Sequence, residues 1–162
     1  MGVRKIAKDD PLFDALGALD ELNSWLGVCR ASVKLKAKSY KLKAIQETLF
    51  IAQAEIAMLG MKKRYTLRVT RAKTEELERE IRRIDAVVPN IKKFIIPGGA
   101  ELSAKLDYAR TLARRAERTL VRIKANPDLL AYLNRLSGYL FALARLVNFR
   151  LNIKEESPSY RP

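Results

Sequence analysis

Residues that break helices are scarce in this chain and lie far apart. Only seven Gly and six Pro occur among its 162 residues, so long stretches carry neither. Within these stretches apolar residues recur every three or four positions, which is the spacing of one face of an α-helix. In the first stretch the recurring apolar residues are Phe13, Leu16, Leu19, Leu22, Trp25, Leu26 and Cys29. The pattern predicts a protein built from long helices and gives no convincing sheet.

Five helices follow from this pattern and from the residues that begin and end them. Ser39 is expected to cap the second helix after a lysine-rich loop over 34–38, and Gly60 is expected to end that helix. Either Thr70 or Thr74 is expected to cap the third. The predicted helices span about residues 11–33, 39–59, 70–88, 100–124 and 129–152.

The expected architecture is an all-α, five-helix bundle in a single domain over residues 1–162. A chain of this length can bury one hydrophobic core but not two comfortable ones. Residues 61–69 are expected to be irregular, with short β character near their end. The polar segments 1–10 and 153–162 are expected to be flexible tails.

Composition excludes several kinds of chemistry. No histidine occurs, which excludes His-based acid–base catalysis and His-ligated metal sites, and no metal-ligating residues are predicted. Cys29 is the single cysteine, so no internal disulfide can form.

No apolar run approaches the roughly 20 residues of a membrane span, and the basic start Met1–Asp10 is not typical of a signal peptide. We therefore expect a cytoplasmic protein without a membrane partner.

The net charge of +14, from 32 Lys and Arg against 18 Asp and Glu, favours a polyanionic partner. Nucleic acid is the general candidate and a nucleoside triphosphate the small-molecule one. Neither GxxxxGK[ST] nor GxGxxG is present, and Pro97–Gly99 ahead of helix 4 is only a weak indication of an anion site. Surface aromatics are not interleaved with the bases, so nucleic acid is not the expected partner.

Two predicted helices carry polar faces that simple amphipathicity does not explain. Arg110 and Arg114 stand four apart on helix 4, so an anion or carboxylate between them or a solvated basic face are both consistent with the spacing. On helix 5 a second stripe could line a cleft or could be ordinary packing. Asp20, near the apolar stripe of helix 1, is either exposed or paired with an arginine. The stripe on helix 5 contains Asn134, Gly138, Phe141, Arg145 and Asn148.

Short segments spread over most of the chain are more specific than any single residue. They are Lys8–Asp10 (KDD), Gly17–Ser24 (GALDELNS), Leu49–Ile56 (LFIAQAEI), Phe94–Gly99 (FIIPGG), Ala109–Arg118 (ARTLARRAER) and Leu133–Phe141 (LNRLSGYLF). In this order and at these spacings they resemble the signatures of the PduO-type ATP:cob(I)alamin adenosyltransferases.

The resemblance implies a five-helix bundle that forms a homotrimer and binds ATP and a corrinoid between adjacent subunits. The implied reaction moves the 5′-deoxyadenosyl group of ATP to Co(I) of cobalamin and releases triphosphate, with magnesium on the phosphates. A reductase that supplies Co(I) and a cobalamin-dependent enzyme would be transient partners.

The resemblance also implies roles for particular residues. Asp20, Arg110 and Phe94 are assigned to catalysis, with Asp20 pairing with Arg110 across the subunit interface. Lys8 would contact the phosphates, Glu117 would brace the arginine cluster, and the phenylalanines would wall the corrinoid. The residues assigned to ATP and corrinoid binding are Lys8, Arg110, Arg114, Glu117, Asn134 and Phe141.

Three positions depart from the family pattern. A glycine- and threonine-rich TRxGDxGxT segment does not precede Lys8, Gly138 stands where the family has an acid, and Leu12 stands where it has an arginine. We therefore expect weak ATP binding by the chain as written. A catalytically weakened corrinoid-binding relative and a basic, non-enzymatic bundle that binds nucleic acid or a protein partner are the alternatives.

Overall fold

The computed structural model describes residues 7, 9–33, 36–59 and 67–160. Within these ranges the chain forms five helices and no strand, in agreement with the all-α prediction. The helices are α1 (Pro11–Ala31), α2 (Lys36–Ala57), α3 (Arg71–Asp85), α4 (Glu101–Arg122) and α5 (Pro127–Arg150).

Prolines begin two of these helices. At the start of α1 the Asp10 carboxylate accepts a hydrogen bond from the Leu12 amide over 2.9 Å. At the start of α5 Asn126 accepts one from the Asp128 amide over 3.0 Å. Asn126-Pro127 therefore works as a cap followed by a first turn. For this reason α5 starts two residues before the predicted Leu129.

The prediction for the start of α2 was wrong. The helix begins at Lys36, so Ser39 lies inside it and is not its N-cap. Lysine and alanine are good helix formers, and they extend the helix into the stretch that was predicted to be a loop. Thr70 is the N-cap of α3, as predicted. Gly60 lies outside the described residues, as do residues 65 and 66 of the segment 65–69 that was predicted to have β character. The described remainder, residues 67–69, forms no strand, so the prediction of β character is wrong there.

The helices pack in a fixed order of neighbours. α1 lies between α2 and α4, and α5 lies between α4 and α3. On α4 a seam of fully buried alanines, Ala109, Ala113 and Ala116, has side chains short enough for neighbouring helices to approach closely. The α4 and α5 backbones are the pair in most extensive contact, and the candidate site lies beside them.

Polar contacts fix the register between α1 and α4. The Trp25 indole Nε1 donates to the Lys105 carbonyl over 2.8 Å, and its ring meets Tyr108 edge-on with centroids 4.8 Å apart. Glu21 forms an ion pair with Arg115. Because residues later in α1 contact residues earlier in α4, the two helices run antiparallel.

The segment after α5 makes specific contacts. The Ile153 amide donates to the Asn148 carbonyl over 2.9 Å, and the Ile96 amide donates to the Glu156 carbonyl over 2.8 Å. Glu155 pairs with Arg145 over 3.0 Å. The structure thus differs from the expectation of a flexible tail, because a buried arginine on α5 needs the carboxylate that this segment supplies.

None of the helices in the described part of the chain combines the length and the apolar character needed to cross a membrane.

Candidate functional site

A small cleft lies where the loop before α4 meets α4 and α5. Arg110 and Asp107 contribute from α4, Phe141 and Asn148 from α5, and the loop residues 95–98 close one side. The space inside is about 40 Å³, far below the roughly 300–1,000 Å³ of a typical ligand pocket. This cleft alone therefore has no room for a nucleotide.

Arg110 is the polar centre of this cleft. Its Nε is buried and has no hydrogen-bond partner among the residues that the structure describes. The paired carboxylate oxygen, on Asp107, lies 3.6 Å away, which is too far for a hydrogen bond. Burial raises the pKa of Asp107 above its usual value, although Arg110 and the Gly98 amide act in the opposite direction. A buried donor without an acceptor is costly and is typical of a site that awaits a ligand or a partner.

The other sequence-predicted polar residues continue along the same pair of helices. Arg114 lies one turn beyond Arg110 and is exposed. The Asn134 amide on α5 donates to Glu117 Oε1 on α4 over 2.9 Å. The described contact of Glu117 is therefore with Asn134, whereas the resemblance implied that it braces the arginines. The structure nevertheless brings all four residues to the α4–α5 surface.

The two phenylalanines lie in different surroundings. Phe141 is half-buried and lines the cleft. Phe94, in the loop between α3 and α4, is 79% exposed and does not line the cleft. Val87, Ile91 and Ile96 of the same loop are also exposed. An apolar surface of this kind is typical of a region that contacts a ligand or another protein.

Asp20 is exposed on α1. Among the residues that the structure describes, no ion pair joins it to Arg110, whose carboxylate neighbour is Asp107. The predicted pairing therefore does not form within one chain. Lys8 lies outside the described residues.

The polar stripe on α5 divides into two parts with different roles. Phe141, Arg145 and Asn148 line the cleft, whereas Asn134 does not and binds Glu117. Arg145 and Asn148 are buried and also bind the loop that carries Phe94. Asn148 Nδ2 donates to the Gly98 carbonyl over 2.9 Å, and its Oδ1 accepts from the Ala100 amide over 3.0 Å. One backbone amide at the start of α4, that of Ala100, is thus already bound by Asn148. Sequence reasoning placed Arg145 and Asn148 on this stripe but missed what they bind, because their partners include backbone atoms of a distant loop.

Comparisons with known proteins agree with the predicted resemblance. The family model described as cobalamin adenosyltransferase matches residues 1–147. A corrinoid adenosyltransferase from Bacillus subtilis is 38% identical over 154 residues, which cover 90% of this chain and 79% of that protein. The corrinoid adenosyltransferase PduO of Salmonella typhimurium is 39% identical over 150 residues, which cover 88% of this chain but only 44% of that protein.

Solved structures give the same result. A variant of the PduO-type ATP:corrinoid adenosyltransferase from Lactobacillus reuteri, complexed with cobalamin and ATP, superposes with a TM-score of 0.90 at 35% identity and covers 96% of this chain and 87% of that one. A second variant, complexed with ATP, gives a TM-score of 0.88 at 36% identity and covers 96% and 90%. The predicted fold class and the predicted family are both confirmed: the chain belongs to the cobalamin adenosyltransferase family.

Proposed function

We propose that this chain, a corrinoid adenosyltransferase by family, transfers the 5′-deoxyadenosyl group of ATP to the cobalt of a corrinoid at a site that a neighbouring subunit completes. The observation that carries the proposal is the buried, unpartnered Nε of Arg110 beside a cleft of only about 40 Å³. The family match favours this enzymatic function over a basic bundle that binds nucleic acid.

The complete site forms in a homotrimer. Asp20 is exposed on α1, and the Nε of Arg110 on α4 has no acceptor in the described part of the chain, so Asp20 of one subunit can pair with Arg110 of the next. Such a charge-assisted hydrogen bond is roughly twice as strong as a neutral one. It would satisfy the buried donor and bring a second protein wall to the cleft.

ATP lies along the α4–α5 surface, held by Arg110, Arg114 and Asn134, with Lys8 on the phosphates. The guanidinium groups suit this role because their planar forks match phosphate oxygens. Magnesium would be held mainly by the triphosphate itself and would neutralise part of its charge. No group of three or more acidic or cysteine side chains in the described residues would hold the ion alone, and in phosphate sites phosphate oxygens and water supply most of its ligands.

The reaction is an in-line displacement. The Co–C bond forms as Co(I) attacks the 5′ carbon of ATP, the C–O bond breaks, and its electron pair leaves with the triphosphate, so cobalt is formally oxidised to Co(III). No proton is transferred, so no general base is needed from a chain without histidine. Positioning the two reactants can contribute roughly 7–11 kcal/mol, and Arg110 and Arg114 stabilise the leaving triphosphate.

Phe94 and Phe141 form the apolar wall on the corrinoid side. A wall of this kind excludes water from the cobalt and makes its reduction to Co(I) easier, because burial controls redox potential. The electron must come from a reductase, and the adenosylated product passes to a cobalamin-dependent enzyme. All of this takes place in the cytoplasm.

The test follows formation of the Co–C bond by absorbance after ATP is added to protein and chemically reduced corrinoid. Arg110→Lys retains the charge but loses the fork, so we expect at least a tenfold slower reaction. Arg122→Lys, an exposed arginine at the end of the same helix, is the matched control and should react at the wild-type rate. A wild-type chain that forms no Co–C bond, or two variants with equal rates, would overturn the proposal.

A further inference from the structure

The loop between α3 and α4 has no regular secondary structure over residues 89–97, yet separate hydrogen bonds hold its backbone. Arg145 Nη2 donates to the Pro89 carbonyl over 2.8 Å. The Ile96 amide donates to the Glu156 carbonyl over 2.8 Å. The Asn148 side chain forms hydrogen bonds with the end of the loop at Gly98 and Ala100. Phe94 lies between the first and second of these anchors.

The first anchor, from Arg145 to Pro89, depends on the same segment that provides the second anchor, from Glu156 to Ile96. Arg145 is 9% exposed, and Glu155 supplies the charge that balances it. Glu155 Oε1 accepts a hydrogen bond from Arg145 Nε, and Glu155 Oε2 accepts one from Arg145 Nη2, each over 3.0 Å. The same Nη2 reaches Pro89. Glu156 is the next residue in the chain. Two adjacent residues therefore balance the charge of Arg145 and hold the backbone of Ile96.

Phe94 has little packing of its own. Its side chain is 79% exposed, so burial against the protein core cannot decide where the ring lies. Its position is set by the backbone of its loop, and that backbone is set by Arg145, Asn148 and the segment 153–156.

We infer that residues 153–156 are a strap that positions Phe94, with Arg145, Glu155 and Asn148 as its positioning residues, and that the strap thereby acts on the corrinoid and not on ATP. That the strap positions Phe94 follows from these hydrogen bonds alone. Its action on the corrinoid rests on the proposed function, in which Phe94 walls the corrinoid.

Glu155→Gln tests the strap because it keeps the shape of the side chain and removes its charge. The full chain is compared with Glu78→Gln, which loses a more exposed ion pair to Arg135 far from the loop. Hydrogen exchange of the peptides that cover 89–100 is measured first. We expect faster exchange there in Glu155→Gln, with no change in α1, and wild-type exchange in the control.

Kinetics then separate the two substrates. For Glu155→Gln we expect the KM for the corrinoid to rise about tenfold, the equivalent of ~1.4 kcal/mol, while the Kd for ATP stays at the wild-type value. Glu155→Asp keeps the charge on a shorter side chain and should fall between wild type and Glu155→Gln in both measurements. Glu155→Asp also provides the test if Glu155→Gln fails to fold.

Wild-type exchange over 89–100 in both Glu155 variants would overturn the strap. Faster exchange with an unchanged corrinoid KM, or with a weaker ATP affinity, would overturn its role toward the corrinoid. Phe94→Ala identifies which idea has failed: if it also leaves the corrinoid KM unchanged, the wall in the proposed function is wrong, whereas a raised KM leaves that wall intact and removes only the strap's influence on it.

Discussion

Asn148 fills the space where a side chain on Gly99 would begin. A Cβ built on Gly99 would lie 2.5 Å from Asn148 Oδ1, and the glycine has a φ of +92°, which is the left-handed region that other residues avoid. Both features come from the way Asn148 bridges the residues on either side, Gly98 and Ala100. The second glycine of the FIIPGG segment is therefore needed for a contact between α5 and the start of α4.

Gly99→Ala should destabilise the protein by about 1–3 kcal/mol, because the new side chain is strained at this φ and collides with Asn148. Denaturant unfolding measures the change. Gly27→Ala is the control: it lies inside α1, where the added Cβ would meet Gln46 at an ordinary 3.5 Å, and alanine is the better helix former by roughly 0.5–1 kcal/mol. Equal stability of Gly99→Ala and wild type would contradict the close approach.

ATP affinity should fall when either polar residue beyond Arg110 is removed. Arg114→Ala and Asn134→Ala each delete a proposed contact, and hydrogen bonds to charged groups are worth roughly 1.5–3 kcal/mol, so we expect at least a tenfold weaker Kd by calorimetry. Circular dichroism should stay unchanged, since both side chains are exposed. Arg122→Ala is the control. If Arg114→Ala and Asn134→Ala bind ATP with the same Kd as this control, ATP does not bind at the proposed site.

Assembly should depend on Asp20. Light scattering should give three times the mass of one chain, and Asp20→Asn should dissociate at higher concentration than wild type because Arg110 loses its charged acceptor. Glu47→Gln removes an exposed carboxylate on α2 and should leave the mass unchanged. A wild-type chain that stays monomeric at micromolar concentration would argue against the inter-subunit site.

Cys29 should resist alkylation in the folded protein. Burial raises the pKa of its thiol to about 11, although Lys105 acts in the opposite direction. At pH 8 the thiol therefore keeps its proton, and the nucleophilic thiolate is scarce. We expect slow labelling by iodoacetamide at pH 8 and rapid labelling in urea, measured by mass spectrometry. Fast labelling of the native protein would show that α1 packs less tightly than described.

The extent to which the sequence predicts this molecule differs from element to element. The apolar spacing predicts α1, α4 and α5 because apolar residues that are buried recur every three or four positions along each of them. The start of α2 was misjudged because Ser39 can cap a helix or lie inside one, and the neighbouring lysines favour the second arrangement.

The candidate site shows a similar division. The spacing of Arg110 and Arg114 is consistent with an anion site or with a solvated basic face. Nothing in a single helix indicates that the Nε of Arg110 finds no acceptor among the described residues of its own chain. The bonds from Arg145 to Pro89 and from Asn148 to Gly98 join helix side chains to backbone oxygens of a loop about 50 residues earlier. Packing of α5 against α3 and α4 creates these bonds, and no local pattern predicts them.

The order in which the chain is synthesised matters for the strap. The Ile96 amide donates its hydrogen bond to the carbonyl of Glu156, and Glu155 balances the charge of Arg145. While a nascent chain is still threaded through the ribosome, the loop with Phe94 lacks both of these anchors until Glu156 has emerged. This loop is thus among the last parts of the protein to take shape, and a prematurely terminated chain can carry every helix and still present Phe94 without its support.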